Sequence, residues 1–127
     1  MQTILNNIDA WESVNYPVTI FLARIIDDVP GFGTERDVTA FNNNLASMVA
    51  SRPSDRVILV DMQNGAGLNY GSGAPGPDMN DNVHPRDDPD ESDGTHIGYA
   101  KIANKWFLDM TDPANVGSKY LGLPQCQ

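Results

Sequence analysis

The sequence predicts an α/β domain built on a parallel sheet, and three observations carry that prediction. Amphipathic helical segments alternate with short, almost wholly apolar runs rich in β-branched residues, the pattern of strands covered on both faces. The stretch from Ile26 to Val57, between the two apolar runs, has the length of a right-handed βαβ crossover. The chain has 127 residues and is 40% hydrophobic, which suits one compact domain able to bury a core without a disulfide or metal.

Residues 2–13 read as the first helix. Ile4, Ile8 and Trp11 follow the i, i+4, i+7 spacing, Leu5 widens the stripe, and polar residues fill the other faces. Thr3 is the candidate N-cap, and Asn15-Tyr16-Pro17 ends the helix because a residue before proline is driven out of helical space. Val18 to Ile26 is a nearly continuous apolar run, expected to be a buried parallel strand, and Asp27 to Gly33 is a loop. Thr34 with Asp37 fits a capping signal for a second helix. Its expected packing face is Val38, Phe41, Leu45, Met48 and Val49, with Asn42-Asn43-Asn44 as a polar face. Val57-Ile58-Leu59-Val60 repeats the buried-strand pattern and ends in Asp61.

Residues 62–93 have almost no periodicity and are rich in Gly, Pro, Asn and Asp; so long an irregular segment in a small domain is usually functional or disordered. Near residue 95 the helical period returns, with Tyr99, Ile102, Ala103, Trp106, Phe107 and Met110 on one face expected to be core. The domain is thus expected over residues 1–112, with 113–127 as an irregular tail. Two strands make a very small sheet, and a pair buried on both faces would leave hydrophobic edges bare. Further strands are therefore expected from outside this chain.

A net charge of −9 disfavours phosphate backbones and anionic membrane surfaces, so neither a nucleic acid nor a membrane is an expected partner. No run is long and apolar enough to span a bilayer; the best one is interrupted by Thr19 and Arg24. The opening Met-Gln-Thr-Ile-Leu-Asn-Asn lacks the basic start and apolar run of a signal peptide, which leaves the compartment unassigned and secretion of a longer parent open. The lone cysteine, Cys126, rules out an intrachain disulfide.

The most informative stretch is Asp81-Asn82-Val83-His84-Pro85. A carboxylate three residues before a histidine in one tight loop accepts the imidazole Nδ1–H locally. That fixes the tautomer and leaves Nε2 as a base for a hydroxyl nucleophile. Pro85 stiffens the turn, and the segment lies in a loop after a strand, where ligand sites of α/β sheets gather.

Asp81-x-x-His84-Pro85, followed by Gly98-Tyr99-x-Lys101-Ile102-Ala103, resembles the last block of GDSL/SGNH hydrolases, in which an Asp-x-x-His-Pro loop runs into a helix of similar start. The strand at Val18–Ile26, Phe41-Asn42-Asn43-Asn44-Leu45 and Val57-Ile58-Leu59-Val60-Asp61-Met62 are similar to the segments preceding that block, so the resemblance spans roughly residues 2–110. It implies a flavodoxin-like three-layer sandwich of about five parallel strands, represented here by its C-terminal portion. It also implies hydrolysis of small-molecule carboxylic esters without a cofactor, with His84 as general base and Asp81 as the acid that orients it. The Gly-Asp-Ser nucleophile loop, the oxyanion-hole glycine and the Gly-x-Asn-Asp asparagine would lie upstream of Met1, with the first three strands. Completion is expected from self-association into a homo-oligomer or from a complementing N-terminal half.

This sequence departs from the family pattern by an insertion, Arg86 to Ile97, that creates a second Asp-x-x-His, Asp93-Gly94-Thr95-His96. Either histidine aligns with the family's; His84 is favoured because the proline follows it, and His96 at a helix start suits a cap better than a base. Ser72, in Gly71-Ser72-Gly73, lacks the strand-to-helix elbow of a nucleophile. The non-catalytic alternative is an α/β module that binds a partner chain, or Ca²⁺ through the acidic loop 78–93. Asp88-x-Asp90-x-Ser92 opens like an EF-hand loop, but Gly94 comes one position late and no glutamate closes it.

Overall fold

A computed structural model describes residues 1–31, 37–87 and 98–116. The chain is a mixed α/β fold in the order α1 (Gln2–Glu12), β1 (Ile20–Ala23), α2 (Val38–Ala50), β2 (Val57–Val60), α3 (Gly98–Thr111) and α4 (Pro113–Val116). The strands pair in parallel, Ile20 opposite Val57 through Ala23 opposite Val60, with α2 as the crossover between them. The expected tail therefore begins with a helical turn, α4; residues 117–127, Cys126 among them, lie outside the described part.

β1 is shorter than the apolar run that predicts it. Its ladder opens with the Ile20 amide donating to the Arg56 carbonyl at 2.8 Å and closes with Arg24 donating to Val60 at 2.9 Å. Beyond that point a side chain takes over from the strand. Asn42, wholly buried on α2, accepts from the Ile25 amide at 2.9 Å and donates back to the Ile25 carbonyl at 2.8 Å. It also donates to the Gln63 carboxamide at 2.9 Å. Gln63 in turn donates to Asp27 and to the Thr39 hydroxyl, each at 2.9 Å. The Tyr70 hydroxyl donates to the Gln63 carbonyl and accepts from the Asp27 amide, and burial pushes that phenol's pKa up. The segments that leave the carboxyl ends of β1 and β2 are thus joined to each other and to α2 by side-chain amides.

Asn42 corrects the expectation of a polar helix face. It stands four residues after Val38 and three before Leu45, both buried, so it lies on the inward stripe. Phe41, expected to pack there, is 47% exposed. The cap differs too: Asp37 itself closes the helix start by accepting from the Ala40 amide at 2.9 Å, and Thr34 lies outside the described residues. Asp37 carries the acceptor nearest the free amides of the first turn, which makes it the cap and not the acid at the N3 position of a capping box.

The sheet is less covered than its composition predicts. All four residues of β1 and three of the four in β2 are half-buried, with Val60 alone fully enclosed. In two strands each has only one laddered neighbour, and no further strand covers the outer edges among the described residues. The helices show the same deficit. On α1 only Leu5 is buried; Ile4 and Trp11 border an open hollow of about 400 Å³ with Asn7, Ile8 and Val18. Its N-cap is Met1, one turn ahead of Thr3's first bondable amide, since the Leu5 amide already bonds the Met1 carbonyl. On α3 the expected core stripe is mostly open: Phe107 is 62% exposed, Tyr99 and Met110 are exposed, and Ile102 and Trp106 are half-buried. Arg52 binds α1 to the turn before β2 through Asp9, Asp55 and Asn6, and its bonded carboxylates, Asp55 first, raise the guanidinium pKa.

Replacing Asn42 with Ala leaves the Ile25 amide and carbonyl and the Gln63 carboxamide without their buried partner. An orphaned buried polar group costs roughly 1–3 kcal/mol, so a loss of about 2–4 kcal/mol in urea unfolding is expected. Asn43→Ala, on the exposed face, is expected to stay within about 0.5 kcal/mol of the parent. Equal effects of the two substitutions would contradict the assigned role of Asn42.

Candidate active site

The stretch from Asp78 to Arg86 closes on itself as a narrow loop. Met79 and Pro85 form an antiparallel bridge, the Asn80 amide donates to the His84 carbonyl at 2.8 Å, and the Arg86 amide donates to the Asp78 carbonyl at 2.7 Å. Asp81 sits at the tip and organises it. Its Oδ1 accepts the Val83 amide at 2.9 Å and the His84 amide at 2.8 Å, a turn in which the side chain replaces a backbone acceptor. The same carboxylate meets the ring: His84 Nδ1 lies 2.8 Å from Oδ2 and 3.0 Å from Oδ1.

The charge state of Asp81 follows from these contacts. The Val83 amide, then the His84 ring and the His84 amide, hold its carboxyl at about 2, below the ordinary 3.8. An ionised carboxylate only accepts, so Nδ1 carries a proton toward it, and in the neutral ring Nε2 is then the free lone pair. The His84 side chain is 65% exposed, which leaves that nitrogen open to a reacting group. The tip is fastened to the segment beyond β1, where the Val29 amide donates to the Asn82 carbonyl at 3.0 Å. The pair therefore lies beside the segment that leaves the carboxyl end of β1.

The other candidates fall differently. Asp93 and His96, and likewise Asp88 and Asp90, lie outside the described residues. Ser72 is exposed between Gly71 and Gly73, whose φ values of 86° and 68° demand glycine, in a turn closed by a Gly71–Pro75 bridge. Among the described residues no helix begins directly after that turn, so no helix N-terminus supplies oxyanion donors there. The hydroxyls of Ser13, Ser47 and Ser51 donate back to carbonyls of their own helices, Ala10, Asn43 and Met48 respectively. Among the described residues no group of three His, Cys, Asp or Glu side chains is placed to hold a metal ion.

Two participants escape a reading of the sequence. Asp78 looks like one member of an acidic cluster, yet it is fully buried and bonded to Lys101 of α3 at 2.7 Å. No local spacing announces that contact, which spans 23 residues. For Asn42 the available signal is its helical register, four residues after Val38 and three before Leu45.

Because the folded pKa of Asp81 is depressed, its stabilising contribution is full above the ordinary carboxylate value. It is lost as pH falls from about 3.8 through about 2. Carboxyl-detected NMR titration is expected to place Asp81 near 2, with the Val83 and His84 amides shifting in step; a midpoint at or above 3.8 would exclude these bonds in solution. No family model, curated protein or solved structure matches the chain.

Proposed function

We propose that this chain supplies the acid–base part of a serine ester hydrolase of the GDSL/SGNH type, acting on small-molecule carboxylic esters. The carrying observation is the Asp81 carboxylate on His84 Nδ1 at 2.8 Å, with the far side of the ring open. Nε2 takes the proton of a serine hydroxyl as that oxygen attacks the ester carbonyl, and returns it to the departing alcohol as the acyl-enzyme forms. Water then attacks the acyl group by the same route, giving the acid and free serine. Asp81 stays ionised throughout and stabilises the imidazolium.

The serine belongs to the part of the flavodoxin-like sandwich that this sequence does not contain. Support for that division comes from the sheet: two parallel strands, half-buried, with no further strand at either outer edge among the described residues. Strands from a complementing N-terminal half, or from another copy of the chain, would complete the ladder and cover apolar faces that now meet water.

The test is the coding sequence upstream of Met1 and the activity of a chain that includes it. A Gly-Asp-Ser block there, with hydrolysis of short-chain p-nitrophenyl esters lowered on the order of 10⁴-fold by His84→Ala, is the expected result. An upstream reading frame without such a block overturns the proposal. The 127-residue chain alone is expected to give no turnover; activity from it that His84→Ala abolishes would reveal a nucleophile within these residues.

A further inference from the structure

The Asp81–His84 contact is local, closed within four residues, and by itself says nothing about where the ring points relative to the sheet. The loop meets α3 at its base. Asp78 opens the loop and has no exposed surface. Its Oδ2 accepts Lys101 Nζ at 2.7 Å and the Asn69 amide, while its backbone carbonyl accepts the Arg86 amide at 2.7 Å. Lys101 also donates to the Gly67 carbonyl at 3.0 Å. The remaining oxygen, Oδ1, is buried without a partner. Among the described residues Lys101 is the cation bonded to this carboxylate, and removing it would leave a buried charge uncompensated.

The fit of α3 against this base is close. A Cβ at Gly98 would stand 2.3 Å from the Asp78 carbonyl oxygen, 2.6 Å from the Arg86 amide nitrogen and 2.8 Å from the Pro85 Cβ. The first turn of α3 thus touches both legs of the loop, and Lys101, one turn on, reaches back to the leg that carries Asp78.

We infer that Asp78 and Lys101 are positioning residues: their ion pair clamps the base of the 78–86 loop to α3 and so sets the direction in which His84 is presented. This rests on the acid–base reading of His84, while the clamp is measured separately from it. Lys101→Met removes the cation and frees the base of the loop, whereas the Asp81–His84 contact, being local, persists.

The experiment is residue-resolved hydrogen exchange on the full chain, alongside ¹⁵N imidazole spectra of His84. In Lys101→Met, protection of the Arg86, Asn80 and Val29 amides is expected to fall on the order of tenfold more than that of Ile20 and Arg24 in the β1–β2 ladder. Lys101→Arg, which keeps a donor cation of similar reach, is expected to restore protection. A uniform loss across loop and ladder would mean that the pair only contributes to overall stability, and the inference fails. Should Lys101→Met not fold, Lys101→Gln provides the milder cut with the same two outcomes. Failure of the acid–base reading shows elsewhere: the unsubstituted chain would then lack the Nδ1–H tautomer of His84, whatever the exchange pattern.

Discussion

The fold depends on one carboxamide. Two four-residue strands offer few ladder bonds, and the segments that leave them must still be held together for a site to exist beyond their carboxyl ends. Asn42 does this by presenting an acceptor and a donor to the Ile25 backbone, as a neighbouring strand would, while binding Gln63 beyond β2. Asn42 itself and its bond to Gln63 are buried, where a hydrogen bond is stronger than in water and its omission more costly. The crossover helix thereby becomes part of the sheet's hydrogen bonding as well as its cover.

Two carboxylates of one loop serve opposite ends by opposite physics. Asp81 is half-exposed and is kept ionised by short local bonds to the Val83 and His84 amides and the His84 ring. Asp78 is enclosed and ties the loop to a helix 23 residues away. An exposed ion pair contributes little to stability, whereas Asp78 is a buried carboxylate whose cation, Lys101, is half-exposed, so removing that cation would leave a buried charge without its partner.

What the sequence made legible follows the range of the interaction. The α/β alternation, both strands and their parallel pairing were readable, because hydrophobic period reports local geometry. The Asp81–His84 contact was readable for the same reason, lying within one turn. The reading failed where distant partners decided: β1 stops at Ala23 because its ladder partner stops at Val60, which no property of Ile25 or Ile26 reveals. The polarity of Asn42 points to solvent while its register with Val38 and Leu45 points inward, and the register decides. The apolar faces of Tyr99, Phe107 and Met110 were assigned to a core on the premise that one lies opposite them, and periodicity identifies a face without identifying its cover. Asp93, His96, Asp88 and Asp90 lie outside the described residues, so the choice between the two Asp-x-x-His pairs rests on the sequence.

The smallness of the Asp81–His84 loop also bears on the order in which the molecule assembles. Contacts three residues apart can close on the order of 100 ns or less, before any parallel pairing has brought distant segments together. The carboxamide bonds of Asn42 and Gln63 join residues 17 to 36 positions apart and must await the crossover. The Asp81–His84 contact can therefore exist in a chain that has yet to acquire its sheet, and what folding adds is not the pair but its address.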